Sequence, residues 1–147
     1  MKIQQVTHDQ LEQCADLFDQ YRQFYQQPGD LNSARAFISE RLVKRDSIIY
    51  IALDENNNGM GFTQLFPSFS SVAMKQVYIL NDLYVTEKAR KQGVAKALMM
   101  TAQAFAQKNK AYAIKLATAK DNVQAKALYD QLGYKMIDSF DYYTIKI

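Results

Sequence analysis

The 147-residue sequence predicts a mixed α/β fold, with about seven strands in one sheet and about four helices on its two faces. Three observations predict it. A capping box opens an amphipathic helix near the N-terminus, a turn-rich stretch joins two β-rich runs, and a strand–helix–strand unit follows them. An antiparallel beginning with a later parallel unit gives a mixed sheet with helices on both sides. The length suits one domain over 1–147, and no internal repeat, low-complexity tract or Pro/Gly-rich linker divides it.

The elements follow in order. Lys2 to Val6 is short and alternating, as a first strand is. Thr7-His8-Asp9-Gln10 reads as a capping box, with threonine as N-cap and glutamine three residues on. Behind it, Leu11, Cys14, Leu17, Phe18, Tyr21 and Phe24 or Tyr25 recur at helical spacing, until Pro28-Gly29 ends the helix. A second helix is expected from about Ser33 to Lys44, with Ala36, Phe37, Ile38 and Leu42 as its apolar contacts. Ser47 to Leu53 is β-rich, and 54–59 (Asp-Glu-Asn-Asn-Asn-Gly) is a turn that sends Met60 to Phe66 back as a hairpin strand. Pro67 to Ser71 reads as loop, and Lys75 to Val85 as a long strand. From Gly93 to about Lys108, Val94, Ala97, Leu98, Thr101 and Phe105 mark a helix. Tyr112 to Thr118 is expected as a strand, Asn122 to Leu132 as a helix stopped at Gly133, and Tyr134–Phe140 with Tyr142–Ile147 as a terminal strand pair.

The composition narrows the chemistry. Hydrophobic residues make up 48% and charged residues 22%, the balance of a soluble globular domain. A single cysteine, Cys14, permits no intramolecular disulfide, and with a single histidine, His8, no cysteine- or histidine-based metal cluster is expected. The first residues lack the apolar core of a signal peptide, and no apolar run reaches the roughly 18 residues of a membrane span. A reducing, cytoplasmic setting and no membrane partner are therefore expected. The net charge is +3, too small to argue for nucleic acid, and the basic residues are not interleaved with aromatics on a recognised module. Its distribution says more. Between Thr86 and Lys126 nine basic residues face two acids, a local +7 that leaves −4 for the remainder. That asymmetry fits an anionic cofactor and a cationic substrate, and equally a lysine-rich solvated surface.

The most informative junction runs from Leu83 to Leu98, where a strand ends, a short basic loop follows and a helix opens at Gly93. Backbone N–H groups at a helix start lack intrahelical partners and bind anionic oxygens. Gly93 and Ala95 keep side chains out of the way, while Arg90, Lys91 and Lys96 attract phosphate, with Arg90 also placed to order the loop. A P-loop is excluded because only one glycine is present here, and the Gly-x-Gly-x-x-Gly dinucleotide fingerprint is absent near the first strand. Taken alone, the arrangement also suits a glycine that merely opens a helix after a basic turn.

Arg90-x-x-Gly93-x-Ala95, placed after the strand ending Asp82-Leu83-Tyr84-Val85, resembles the Gln/Arg-x-x-Gly-x-Gly/Ala signature of the GNAT acetyltransferase superfamily. Asn122 to Tyr134 is similar to that family's Asn-x-x-Ala-x-x-Leu-Tyr-x-x-x-Gly-Phe/Tyr element. The resemblance spans nearly the whole chain. It implies a sheet whose central strands splay, with acetyl-CoA as cosubstrate and no metal. It places the pyrophosphate on Arg90, Lys91, Gln92, Gly93, Val94, Ala95 and Lys96, and the pantetheine arm along Leu83, Tyr84 and Val85. Asn122 would contact the arm and Tyr129 would lie near the thioester sulfur. The implied reaction is direct transfer of acetyl to a primary amine within a ternary complex. The acceptor would be a small amine or polyamine, or a protein lysine.

For that reaction the ammonium must lose a proton, the thioester carbonyl needs a hydrogen-bond donor such as a backbone N–H near Val85, and the leaving thiolate gains from a proton. Tyr129 is the natural donor, though its place on a helix before Gly133 also suits core packing. Some relatives carry a glutamate in the fourth strand. Here the sequence reads Leu80-Asn81-Asp82-Leu83, and because Asn81 takes no proton, Asp82 is the nearest carboxylate, either as base or as a structural group. This departure alone supports an alternative, a non-catalytic module that binds acyl-CoA as a sensor. Cys14 lies on the apolar face of the first helix and reads as a core thiol. Tyr21, Phe24 and Tyr25, with Asp19 and Asp30 nearby, offer an acceptor pocket for an amine. The same tyrosines suit core packing or an oligomer interface, which leaves a homodimer open.

Overall fold

The computed structural model describes residues 1–147 in two compact units, Met1–Ala117 and Thr118–Ile147, each taken here by itself. The first unit is built on a five-stranded mixed sheet in sequential order. Its strands are β1 (Lys2–Gln5), β2 (Ile48–Leu53), β3 (Gly59–Ser70), β4 (Lys75–Val85) and β5 (Ala113–Lys115). Pairing is antiparallel from β1 to β4 and parallel between β4 and β5. The parallel pair is joined through α3 (Val94–Lys108), as a parallel crossover requires.

The capping box is present: Thr7 Oγ1 accepts from Asp9 N at 3.3 Å and the Thr7 backbone N–H donates to Gln10 Oε1 at 3.0 Å. It opens a short 3-10 turn that runs straight into α1 (Leu11–Phe24). Cys14, Leu17 and Phe18 turn inward from α1 and meet Ala34 and Ile38 of α2 (Leu31–Lys44). Against them lie Ile49, Ile51 and Leu53 of β2 and Phe62 of β3. On the other face Val94 and Leu98 of α3 cover Ala52, with Tyr50, Met60, Leu83 and Val85 packed beside them. Residues two apart on a strand share a face, so β2 serves both cores.

Several expectations need correction. α2 starts at Leu31 rather than near Ser33, because Asp30 is the N-cap and its Oδ1 accepts from Ser33 N at 3.1 Å. Pro67 to Ser70 is not loop: β3 continues through it, pairing Pro67 with Tyr78 and Ser70 with Lys75. Proline fits there because β2 reaches no farther than the Ile48–Leu65 pair, so Pro67 lies where β3 has an outer edge and needs no ladder N–H. β5 is three residues long, not the seven of Tyr112–Thr118.

In the second unit, α4 (Val123–Gln131) is capped by Asn122, whose Oδ1 accepts from Ala125 N at 3.2 Å. The helix stops at Gly133, which takes a φ of 88° while Tyr134 N returns to Tyr129 O at 2.9 Å. The expected terminal strands, Tyr134–Phe140 and Tyr142–Ile147, are not formed, so the strand number is five rather than seven. A strand exists only through a ladder, and the apolar residues here come as adjacent pairs, Met136-Ile137 and Tyr142-Tyr143, which break the two-residue period.

One glycine is fixed by packing alone. A Cβ on Gly61 would lie 2.5 Å from the Tyr84 carbonyl oxygen and 3.2 Å from Val85 Cα. Gly61→Ala is therefore expected to force β3 and β4 apart and to cost about 1–3 kcal/mol, read as a lower denaturant midpoint.

Candidate active site

The site begins at an irregularity in β4. Gln64 pairs with Asp82 and the next residue, Leu65, pairs with Leu80, so Asn81 is an extra residue. A bulge of this kind reverses which side chains face which side. Before it, Tyr78 turns to the α3 face, where its ring lies 5.2 Å from Phe105. After it, Tyr84 packs with the α1 cluster while Leu83 and Val85 join the α3 cluster. Asp82, two residues before Tyr84, thereby faces α1.

Asp82 is buried and surrounded by donors. Gln64 Nε2 donates to its Oδ2 at 2.6 Å, Asn81 Nδ2 to its Oδ1 at 3.1 Å, and the Tyr21 hydroxyl to the same carboxylate. Thr63 Oγ1 donates to the Asp82 carbonyl oxygen at 2.9 Å and fixes the backbone at the bulge. Burial pushes the carboxyl above the usual carboxylate range, and the three hydrogen bonds oppose that rise without cancelling it. Cys14 is fully buried nearby. Burial, and then the negative charge of Asp82, push its thiol up to about 12, so it is an inert core thiol.

The second feature is an open strand edge. β4 pairs with β3 along its whole length, from Lys75 opposite Ser70 to Val85 opposite Gly61. On its other side β5 pairs only with Val77, Tyr78 and Ile79. From Leu80 to Val85 no strand flanks that edge, so alternate backbone groups of Leu83, Tyr84 and Val85 point outward without a ladder. The edge is open because β5 is only three residues long.

The edge leads into the helix start. Thr86 opens a 3-10 turn (Glu87–Ala89) and Arg90 follows with its Nε donating to the Val85 carbonyl at 3.4 Å. Lys91 takes a φ of 61° and Gly93 a φ of 78°, while Gln92 Nε2 holds the Lys88 carbonyl at 2.9 Å. No side chain caps α3 and no acid stands in its first turn. A Cβ on Gly93 would meet nothing within 4 Å. Val94 is buried and anchors the helix, Ala95 is half-buried, and Arg90, Lys91, Gln92 and Lys96 are exposed. An uncapped helix start, clear space before it and several cations around it fit a pyrophosphate.

Of the aromatic residues, Tyr21 lies 5.8 Å from Phe62 and 6.5 Å from Tyr84, ring to ring, and belongs to the wall beside Asp82. Phe24 and Tyr25 are exposed at the end of α1, and the Arg90 guanidinium lies 5.8 Å from the Phe24 ring centre. The two neighbouring acids are taken by the fold. Asp19 Oδ1 accepts from Asp30 N at 2.8 Å and its Oδ2 from Gln23 Nε2 at 3.1 Å, and Asp30 caps α2. Neither stands free for an amine.

Asn122 and Tyr129 lie in the second unit, Asn122 as the α4 cap and Tyr129 half-buried with its ring 6.0 Å from that of Tyr134. Sequence reasoning missed Gln64. Its signal was a long polar side chain inside the otherwise β-rich run Met60–Phe66. No helix is long and apolar enough to cross a membrane.

The model of the Acetyltransferase (GNAT) family matches residues 11–134. The chain belongs to the GNAT family. It is an acetyltransferase, in keeping with its relatives. The Bacillus subtilis (strain 168) protein named Uncharacterized N-acetyltransferase YhfO is 43% identical over all 147 residues, covering 98% of that protein. A crystal structure described as a probable acetyltransferase is 41% identical, with a TM-score of 0.93 over the whole chain and 98% of the other. The aminoglycoside-related enzyme AAC(6')-Iy, solved with a bisubstrate analog, shares the fold at a TM-score of 0.80, with 20% identity over 99% of this chain and 98% of the other. The GNAT fold thus appears here as a mixed five-stranded sheet with four helices, and acetyl-CoA is the cosubstrate of the family.

Proposed function

We propose that the chain, acting as one domain, moves an acetyl group from acetyl-CoA to a primary amine by direct transfer in a ternary complex. The observation that carries this reading is continuity: the open edge of β4 ends at the uncapped start of α3, and the buried Asp82 lies on that same strand. Treating the chain as one domain is supported by the family match, which runs across both units.

In this reading Arg90, Lys91, Gln92, Gly93, Val94, Ala95 and Lys96 hold the pyrophosphate, and the outward backbone groups of Leu83, Tyr84 and Val85 hold the arm. For Asn122, contact with the arm is what the resemblance to the family implies. The bound cosubstrate supplies an acetyl group activated as a thioester. A backbone N–H near Val85 polarises its carbonyl as a hydrogen-bond donor. Asp82 accepts the ammonium proton, directly or through water. The burial that raises its pKa makes it a stronger base than an exposed aspartate. For Tyr129, the return of a proton to the departing thiolate is the role that the resemblance to the family implies. Cys14 has no part in a covalent step.

The acceptor is a small amine or polyamine, or a protein lysine. Aromatic faces at the end of α1 suit an alkylammonium, and the engagement of Asp19 and Asp30 leaves that recognition to the rings of Tyr21, Phe24 and Tyr25. The test is CoA release with spermidine, an aminoglycoside, amino acids and a lysine peptide, after acetyl-CoA binding is established. Turnover with at least one amine is expected, and tight binding with no turnover on any would favour the sensor reading. Tyr129→Phe should lower kcat by about 10²-fold or more while leaving acetyl-CoA binding intact. Unchanged turnover removes Tyr129 from the acid role.

A further inference from the structure

Gln64 is fully buried in β3, in a position where its neighbour Leu65 is also fully buried and purely apolar. A buried amide is costly unless both of its ends are bonded, and here they are. Nε2 donates to Asp82 Oδ2 at 2.6 Å, and Oε1 accepts from Ser47 Oγ at 2.8 Å. The carboxylate decides which way the amide faces: ionised Asp82 only accepts, so the NH2 group must point at it, and the Ser47 hydroxyl, able to donate or accept, donates to the Oε1 end.

The two carboxylate oxygens of Asp82 are therefore unequal. Oδ2 is anchored inward by a fully buried partner. Oδ1 is reached by Asn81, the exposed extra residue of the bulge, at a longer 3.1 Å. We propose that Gln64, held at its other end by Ser47, is a positioning residue that pins Asp82 Oδ2 and leaves Oδ1 as the oxygen that takes the acceptor's proton. The inference rests on the reading of Asp82 as proton acceptor and deepens it.

The groups facing Asp82 are few. α1 brings the Cys14 thiol, which burial and then Asp82 push up to about 12, and the Tyr21 hydroxyl as a donor. β3 brings Gln64 and Thr63, and β4 brings Asn81, none of them titratable. A change at Gln64 therefore reads directly on Asp82. Gln64 donates to the ionised form, so removing the donor raises the pH at which Asp82 loses its proton.

The experiment follows the Asp82 carboxyl by carbon-13 NMR in aspartate-labelled full-length chain, its signal assigned by its absence in Asp82→Asn. In Gln64→Met the titration midpoint should move to higher pH, and Ser47→Ala should move it the same way by less. Gln64→Glu, nearly isosteric and a safeguard if the methionine variant does not fold, should move it farther by placing a second carboxyl in contact. With the most active amine of the panel as probe, kcat of Gln64→Met at neutral pH should fall by on the order of 10- to 100-fold and recover as pH rises, with KM for acetyl-CoA unchanged. A midpoint unmoved in both Gln64 variants overturns the proposal. If the midpoint moves but Asp82→Asn keeps full turnover, the base assignment fails while the pinning of Oδ2 stands.

Discussion

Gly93→Glu abolishes acetyl-CoA binding while the protein stays folded; that is the result expected from the start of α3. The substitution puts a side chain and a negative charge where the structure leaves clear space, beside N–H groups that no side chain caps. The positive φ of 78° adds strain of about 1–2 kcal/mol, because a Cβ in the left-handed region crowds its own carbonyl. Nothing lies within 4 Å of that Cβ, so the strain is the only packing consequence for the fold. Gly93→Ala is the control, since it carries the same strain without the charge. Calorimetric titration with acetyl-CoA should show no binding for the glutamate variant and weakened, measurable binding for the alanine variant. Wild-type affinity in Gly93→Glu would move the pyrophosphate away from this helix.

The second large effect belongs to Asp82. Asp82→Asn should lower kcat/KM for the acceptor by about 10²- to 10⁴-fold, the contribution of a positioned general base, with acetyl-CoA affinity unchanged. The pH profile carries the finer test. A base works when ionised, so wild-type activity falls as pH drops through the Asp82 pKa, which burial has raised. The acid limb should therefore lie above the range of an ordinary aspartate, and the residual activity of Asp82→Asn should lack it. Stability follows the opposite sign. A carboxyl whose folded pKa is raised contributes stability below its unfolded pKa, and that contribution is lost as pH rises through the folded value. The melting temperature of the wild type relative to Asp82→Asn should thus increase as the solution is acidified from neutral toward mildly acidic pH. The two measurements share one cause, the burial of a charge that the chemistry needs.

Much of this was legible in the sequence, and the reason is locality. The Thr7 cap, the α1 stripe, the stop at Gly133 and the basic turn before Gly93 are each encoded within a few residues, and each is found where local rules put it. Two errors came from pairing, which no local window contains. Pro67 looks like a breaker until β2 is seen to begin only at Ile48, opposite Leu65, and to leave that stretch of β3 an outer edge. Tyr134–Phe140 and Tyr142–Ile147 carry strand-like composition, but composition supplies no ladder. At the site, the cradle was readable because a glycine, a helix start and cations are contiguous. The setting of Asp82 was not. Its partners Gln64 and Tyr21 are 18 and 61 residues away, and Ser47, which holds the far end of Gln64, is 35 away; only the fold joins them. Asp19 and Asp30 misled because the fold uses their carboxylates: Asp19 accepts from the Asp30 backbone N–H eleven residues on and from the Gln23 amide, and Asp30 is the local cap of α2.

The extra residue at Asn81 makes β4 a strand with a parity. Ahead of it the even-numbered residues Tyr78 and Leu80 belong to one side of the sheet, and beyond it the even-numbered Asp82 and Tyr84 belong to the other. Removing Asn81 would shorten the chain by less than 1% and leave Leu80 opposite Leu65 and Asp82 opposite Gln64, each pair still on its own face of the sheet. The strand would lose the bulge itself, its local twist and the Asn81 Nδ2 that donates to Asp82 Oδ1. The extra residue is therefore a separable part of the site: taking it out removes a donor from the carboxylate without turning that carboxylate away from α1.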